Sequence, residues 1–225
     1  VKLENCTLAL PMAGAGSRFS KEGYTEPKPF IQVNGKNMVE QAVRCLPETD
    51  EVIYACLKGH QSPGQNTVWI NDVLEGQACT TERIVNVIDP DSSILVSACD
   101  NGVFYDADKF LDLVNDEEND IIVWTYRNNH TSHLQPNAYS WVNCDSDGNV
   151  SRVDVKNFTG TNPVKEFAIV GTMFFRSREV FFASLKSLYD NDVRINGEFY
   201  VDSMLNEAIS LGYKAVSYTH LTLPT

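Results

Sequence analysis

Short apolar runs alternate along the chain with stretches of helical spacing, and this alternation constrains the fold more than any other feature. The first run, at 6–12, is short and predominantly apolar, as is typical of a strand buried on both faces of a sheet. Comparable runs follow at 51–57, 94–98 and 121–126. The alternation predicts an α/β domain with a Rossmann-like, three-layer arrangement, in which a mostly parallel sheet has helices on both faces.

The remaining segments complete this prediction. Helical spacing or composition predicts helices at 38–46, 67–74, 109–114, 179–189 and 201–211. In the second half, runs at 139–144 and 150–155 flank the turn sequence Asp145-Ser146-Asp147-Gly148, and another strand is predicted at 167–175. We therefore expect a small antiparallel insert in the second half of an otherwise parallel sheet.

Composition bounds the class of protein. The chain has 225 residues, of which 43% are hydrophobic, and this is enough for one globular domain with a buried core. A formal net charge of −12 argues against nonspecific binding to nucleic acid or to an anionic membrane. No apolar run approaches the roughly 20 residues that span a bilayer, and no signal peptide opens the sequence. The six cysteines form no C-x-x-C pair, so reduced thiols and a cytoplasmic location are expected.

The loop after the first predicted strand carries the strongest chemical signal. Gly14 and Gly16 let the backbone approach a bulky ligand, and their amide groups can face phosphate oxygens. Arg18 offers a planar fork for phosphate, and Lys28 is a compact charge between two prolines. Asp100 follows another predicted strand, and the carboxyl ends of parallel strands share the rim where ligands bind. These residues indicate a ligand that carries phosphate.

Two other interpretations of this loop stay open at the level of local sequence. A Gly-x-Gly after a strand is often a tight turn with no ligand. A dinucleotide-binding loop would need a third glycine, and this chain has Phe19 at that position. The choice between them therefore depends on the rest of the chain.

The order of motifs resembles that of the nucleotidyltransferase family that makes nucleotide sugars, the sugar-phosphate pyrophosphorylases. The similarity is greatest to a bacterial subset, whose motifs are matched here by Gly16-Ser17-Arg18-Phe19, Gly23-Tyr24, Pro27-Lys28-Pro29 and Gly35-Lys36-Asn37-Met38. Later matches in the same order are Glu75-Gly76-Gln77-Ala78-Cys79-Thr80, Cys99-Asp100-Asn101, Val153-Asp154-Val155-Lys156, Val170-Gly171 and Asn196-Gly197-Glu198-Phe199-Tyr200. Val155 stands where many members of the family have Glu before the lysine. The resemblance covers residues 7–216.

The resemblance implies roles on the nucleotide side of a site. Nucleotide contacts are implied for Ala13, Gly14, Gly16 and Gln77, with Gln77 reading the edge of the base. The two implied catalytic residues are Arg18, which would bind the departing β- and γ-phosphates, and Lys28, which would stabilise charge at the α-phosphorus. Asp100 would bind Mg²⁺, the implied cofactor, which would bridge the triphosphate.

On the acceptor side the resemblance implies contacts from Lys156, Gly171 and Glu198, with the lysine on the phosphate and the glutamate on hydroxyl groups. The implied reaction joins a nucleoside triphosphate to a sugar 1-phosphate or similar phosphorylated acceptor, giving a nucleotide sugar and pyrophosphate. The attacking phosphate is mostly dianionic at neutral pH, because its second pKa is about 6. No general base is therefore needed. Cell-surface polysaccharide synthesis is the usual setting of this family, and the base, the sugar and the oligomeric state stay open.

Two alternatives of other kinds are weighed beside this one. A glycosyltransferase with a related nucleotide-binding fold would place Asp145 and Asp147 on a metal and would leave Arg18 and Lys28 without a role. A noncatalytic nucleotide-binding module would bind nucleotide and turn nothing over. The positions of the side chains of Asp145, Asp147, Arg18 and Lys28 in the folded protein are needed to discriminate these alternatives from the nucleotidyltransferase.

The end of the chain departs from the family pattern. Residues 1–216 are expected to form a nucleotidyltransferase domain that is truncated at its C-terminus. The last nine residues, 217–225, match nothing in the family, and we expect them to be non-native. A second ligand for the metal would then lie in the missing segment.

Overall fold

The computed structural model describes residues 1–219 and 221–222. The strands are β1 (Cys6–Pro11), β2 (Gln32–Val33), β3 (Lys36–Asn37), β4 (Glu51–Leu57), β5 (Thr67–Ile70), β6 (Ser93–Ser97), β7 (Phe104–Tyr105), β8 (Ile121–Tyr126), β9 (Trp141–Cys144), β10 (Val150–Asp154), β11 (Phe167–Phe175), β12 (Ala215–Tyr218) and β13 (Leu221–Thr222). The helices are α1 (Ser17–Lys21), α2 (Met38–Arg44), α3 (Gln77–Val85), α4 (Ala107–Asn115), α5 (Arg178–Asp190) and α6 (Val201–Ser210).

One sheet of nine strands organises the molecule. Strands β5, β4, β1 and β6 lie side by side and are all parallel. Strand β11 is antiparallel to its neighbours β6 and β8, and β12 pairs in parallel with the outer side of β8. The hairpin of β9 and β10 extends the sheet from the beginning of β11. The predicted α/β class, with a mostly parallel sheet and a small antiparallel part in the second half, is confirmed.

The sheet separates two apolar cores, which explains why its strand β1 is apolar at every position except Thr7. Leu8 and Leu10 pack into one core, and Ala9 between them packs into the other, because successive side chains of a strand point to opposite faces. Helices α3, α5 and α6 cover the core that contains Ala9, and α2 and α4 cover the opposite one. The three layers expected from the sequence are present.

One predicted helix is wrong. Residues 67–74 were expected to be helical, but Thr67–Ile70 form the strand β5, which pairs with β4 from Tyr54 to Leu57. Val68 packs on the core and Trp69 is 45% exposed, which is the alternation of a strand with one covered face. Pairing with β4 satisfies the backbone hydrogen-bonding groups of this segment. A prediction from the residues of the segment alone does not include this partner strand.

The prediction also missed the helix α3, because its first residues were taken as part of a loop. The helix begins at Gln77, directly after Gly76, which has a φ of 124°. Only glycine adopts this backbone conformation readily. The segment from Glu75 to Thr80 is therefore a short loop followed by a helix.

The strand β12 continues past the expected domain boundary at 216. Ser217 pairs with Val123, and Tyr218 is fully buried against Phe110 and Trp124. Of the tail that we expect to be non-native, positions 220 and 223–225 lie outside the described residues. The expected origin of 217–225 stays a prediction.

No helix within residues 1–219 and 221–222 combines the length and the apolar character needed to cross a membrane.

Candidate active site

The loop after β1 has the geometry that its glycines predict. Gly16 has a φ of 60° and precedes the short helix α1. A Cβ atom on Gly16 would lie 3.8 Å from the Cβ atom of Lys28, whereas one on Gly14 would meet nothing within 4 Å. The backbone of the loop is thus open to a ligand at Gly14 and passes beside Lys28 at Gly16.

This loop borders a cavity of about 600 Å³. The structure brings six of the ten predicted site residues to its wall: Gly14, Gly16, Arg18, Lys28, Asp100 and Glu198. They come from four separate segments of the chain, which the sheet brings together near the carboxyl ends of β1 and β6. Convergence of distant polar groups on one cavity is typical of a small-molecule site.

Lys28 and Asp100 form an ion pair within this cavity. Their side chains are 28% and 31% exposed, so water screens the pair only partly. Lys28 lies in a single 3₁₀ turn, Lys28–Phe30, which is fixed by the prolines at 27 and 29. Its ammonium group also lies 5.6 Å from the centre of the Phe19 ring. The lysine is therefore held in place before any ligand binds.

Asp100 is positioned by the chain that follows it. The side-chain amide of Asn101 donates a hydrogen bond to the carbonyl oxygen of Val170 on β11. Gly171, the next residue, has a φ of 99°, and a Cβ atom there would lie 3.0 Å from the Asn101 amide nitrogen. Gly171 thus packs against the loop that carries Asp100, at Asn101, and it is not among the residues at the cavity wall.

Lys156 lies near the same charges, although it is not among the residues that line the cavity. Its ammonium group donates a hydrogen bond of 2.6 Å to the carbonyl oxygen of Ala138 and lies 5.8 Å from the centre of the Tyr200 ring. Burial lowers the pKa of Lys156, and the carboxylate of Asp202 opposes this effect. The charges of Arg18, Asp100 and Lys28 also act on the pKa of Lys156, so each of these three groups lies within electrostatic range of Lys156.

The other predicted residues have different surroundings. Ala13 is 1% exposed, and its side chain packs in the core. Gln77 is the first residue of α3, is partly buried and does not line the cavity. Glu198 is exposed and closes a tight turn with Ile195, in which the two residues exchange backbone hydrogen bonds of 3.0 Å.

Several residues at the site carried no predicted role. Phe19 and Tyr24 line the cavity and pack edge to face, with ring centres 5.6 Å apart, and Tyr24 is 50% exposed. Asp202 lies in the first turn of α6, where burial raises the pKa of its carboxyl group. An aromatic residue within the motif and an acidic residue at the start of a predicted helix were the available signals, but neither indicates a cavity by itself.

The metal expected at Asp100 can be tested against the donors present. Within the described part of the chain, no group of three or more His, Cys, Asp or Glu side chains is arranged to hold a metal ion. Mg²⁺ is usually held by one or two carboxylates together with substrate phosphates and water. Asp100 borders the cavity that contains Arg18 and Lys28, so its single carboxylate fits a metal that arrives with a polyphosphate.

The acidic turn between β9 and β10 does not have the character of a metal site. One oxygen of Asp145 accepts hydrogen bonds of 2.9 Å from the backbone of Asp147 and of Asn149, and the other accepts from the Asn149 side chain. These hydrogen bonds lower the pKa of Asp145. The carboxylate is satisfied within its own turn, as expected for a hairpin.

Comparison with known proteins identifies the fold of the chain. No family model matches the sequence, and the search of curated proteins gave no match. Solved structures do match. A nucleoside-diphosphate-sugar pyrophosphorylase from Vibrio cholerae RC9 is 19% identical, with a TM-score of 0.72 over 96% of this chain and 94% of that one. An inositol-1-phosphate CTP transferase from T. maritima is 14% identical, with a TM-score of 0.74 over 98% of this chain and 89% of that one.

A third structure, from Bacillus anthracis, is provisionally assigned as a glucose-1-phosphate thymidylyltransferase and contains sucrose. It is 15% identical, with a TM-score of 0.70 over 98% of this chain and 89% of that one. All three neighbours carry names of nucleotidyltransferases. The chain therefore has a nucleotidyltransferase fold, which agrees with the resemblance found in its motifs.

Proposed function

We propose that the protein is a nucleotidyltransferase that joins a nucleoside triphosphate to a sugar 1-phosphate or a similar phosphorylated acceptor. The observation that carries this proposal is the convergence of Arg18, Lys28 and Asp100 on one cavity beside the Gly14–Gly16 backbone. Two cations, a carboxylate and an open glycine loop suit a polyphosphate better than an uncharged ligand. The names of the structural neighbours support the same class.

In the proposed reaction a phosphate oxygen of the acceptor attacks the α-phosphorus of the nucleotide. A new P–O bond forms there, the bond between the α-phosphorus and the oxygen that bridges to the β-phosphorus breaks, and pyrophosphate leaves with that oxygen. The attacking oxygen carries no proton in the dianion, so the step needs no base. Catalysis then consists of positioning and of electrostatic stabilisation.

Each cation has a distinct task in this proposal. Arg18 binds the departing pyrophosphate through its planar fork. Lys28, already held at the cavity wall, exchanges its ion pair with Asp100 for contact with the α-phosphate. Lys156 binds the phosphate of the acceptor, and Glu198 accepts hydrogen bonds from its hydroxyl groups. When bound at Asp100, Mg²⁺ would neutralise phosphate charge.

The glycosyltransferase alternative has less support, because it requires the turn carboxylates as metal ligands. Asp145 already accepts three hydrogen bonds within that turn. The noncatalytic alternative predicts that nucleotide binding survives Asp100→Ala and that no acceptor is turned over.

Release of pyrophosphate in the presence of Mg²⁺ tests the proposal. Nucleoside triphosphates are crossed with a panel of sugar 1-phosphates, and release is expected for a defined pair. Arg18→Ala is expected to abolish it. Lys21→Ala, on the same short helix but away from the cavity wall, is the matched control and is expected to leave it unchanged. Nucleotide binding without release for any acceptor would favour the noncatalytic module, and release that survives Arg18→Ala would remove Arg18 from the mechanism.

A further inference from the structure

Two segments that were predicted to serve different substrates are joined directly by their backbones. The amide of Phe199 donates a hydrogen bond of 2.7 Å to the carbonyl oxygen of Glu75, and the carbonyl oxygen of Phe199 accepts one of 3.0 Å from the amide of Ala78. The second bond satisfies a donor at the beginning of α3 that has no partner within the helix. The segment at 75–78, which carries Gln77, and the segment at 195–199, which carries Glu198, are thus one unit.

Arg194 holds this unit from outside the cavity that borders Glu198. One terminal nitrogen lies 3.2 Å from a carboxylate oxygen of Glu75, and the other donates a hydrogen bond of 3.2 Å to the carbonyl oxygen of Gly197. The Nε atom donates to Asp192 at 2.6 Å. The Cζ atom of the guanidinium lies over the Phe199 ring, 4.0 Å from the ring centre. One side chain therefore contacts both segments.

The chemistry of these contacts requires arginine. Three nitrogens point to three different partners while the guanidinium carbon lies over an aromatic ring, and a lysine ammonium, which has a single nitrogen, cannot reproduce this arrangement. The guanidinium is charged at every accessible pH, and the carboxylates of Asp192 and Glu75 raise the pKa of Arg194 further. Arg194, Glu75 and Phe199 line a separate cavity of about 380 Å³ and do not border the first one.

We propose that Arg194 is a positioning residue that locks the 75–78 and 195–199 segments together. Glu198 at the cavity wall and Gln77, whose contact with the nucleotide is the expectation from the motif resemblance, are then held as one rigid unit. This inference rests on the proposed function of the site. Its consequence is specific: loss of Arg194 weakens binding of both substrates, although Arg194 would touch neither of them.

Hydrogen exchange tests the lock without reference to activity. In Arg194→Ala, exchange is expected to become faster at the amides of both segments, including Ala78 and Phe199. Arg178→Ala is the matched control, because Arg178 also donates to a carbonyl oxygen, that of Ile88, and its guanidinium carbon also lies over a ring, that of Phe182. It is expected to leave both segments unchanged. Glu75→Gln removes the charge from only one of the contacts of Arg194 and is expected to give a smaller effect in the same peptides. Unchanged exchange in either segment of Arg194→Ala would overturn the lock.

Steady-state kinetics of the full chain test its role. Arg194→Ala is expected to raise the KM for the nucleoside triphosphate and the KM for the acceptor by at least about fivefold each, with a smaller change in kcat. Arg194→Lys is expected to stay defective. An increase in only one KM, or full rescue by lysine, would overturn the role of Arg194 while the proposed function stands. If the unmutated enzyme were inactive with every pair of nucleoside triphosphate and acceptor, both the proposed function and the role of Arg194 in substrate binding would be overturned. The exchange experiment would still test whether Arg194 locks the two segments together.

Discussion

Gly76 lies so close to Phe199 that a Cβ atom on Gly76 would be 2.6 Å from the amide nitrogen of Phe199. Its φ of 124° is also unfavourable for any other residue. The close approach and the positive φ both occur where the start of α3 is hydrogen-bonded to the turn that carries Glu198. Glycine at this position is therefore a requirement of the site's geometry.

Gly76→Ala is expected to destabilise the protein by about 2–6 kcal/mol, because the strain of a positive φ with an extended ψ and the cost of an overpacked contact add together. Gly59→Ala is the matched control. Gly59 has a φ of 90° but open space around its missing side chain, so only strain of about 1–2 kcal/mol is expected. Urea unfolding of both variants measures the difference. Equal losses of stability would show that the contact with Phe199 has no cost.

Lys28→Ala is expected to lower kcat by about 10²–10³, which corresponds to about 2.7–4 kcal/mol for one preorganised charge. Nucleotide binding, measured by calorimetry, is expected to change less. Asp100→Ala combined with Lys28→Ala is expected to cost less than the sum of the single changes, because the two side chains contact each other. Strict additivity would indicate that the pair has no joint role.

We expect the affinity for the acceptor to fall as the pH rises, and to do so at a pH below 10.5, the ordinary pKa of lysine. Burial lowers the pKa of Lys156, and only its protonated form attracts phosphate. The KM for the acceptor therefore rises as pH increases through the lowered pKa. Lys156→Arg is expected to remove this dependence, because arginine stays charged throughout the accessible range. A profile that is unchanged in Lys156→Arg would assign the titration to another group.

Asp202→Asn is expected to move the pH at which the KM for the acceptor rises to a lower value. The carboxylate of Asp202 raises the pKa of Lys156 and partly offsets burial, so its removal lowers the pKa further. Asp190→Asn, at the exposed end of α5, is the control and is expected to leave the profile in place. A shift in the opposite direction would mean that Asp202 does not act on Lys156 through its charge.

The Cys99 thiol, which lines the cavity, is expected to resist alkylation at pH 8. Burial raises the pKa of Cys99 to about 11, so the reactive thiolate is scarce at that pH. Cys45, which is more exposed, provides an internal comparison in the same digest. Peptide mass spectrometry after iodoacetamide treatment is expected to show faster labelling of Cys45. Faster labelling of Cys99 would contradict its burial.

Local patterns were sufficient where a segment's structure depends on its own residues. The strands Glu51–Leu57 and Ile121–Tyr126 have the bounds that their predominantly apolar runs predict. Ile121–Tyr126 is buried at every position, as expected for a strand that is covered on both faces. The segment 67–74 failed for the opposite reason. Its state depends on pairing with β4, and a short apolar stretch with mixed spacing fits a helix or a strand equally well.

The sequence by itself determined the α/β class, the glycine loop after β1 and the identity of the charged residues that could handle phosphate. Only the tertiary structure decided which of them meet: Lys28 with Asp100 in the cavity, Gly171 against the Asp100 loop, and Phe199 with the start of α3. The physical reason is that backbone preference and hydrophobic periodicity act over a few residues. The contacts that form the site join segments far apart in the chain, and the sheet brings those segments together when its strands pair.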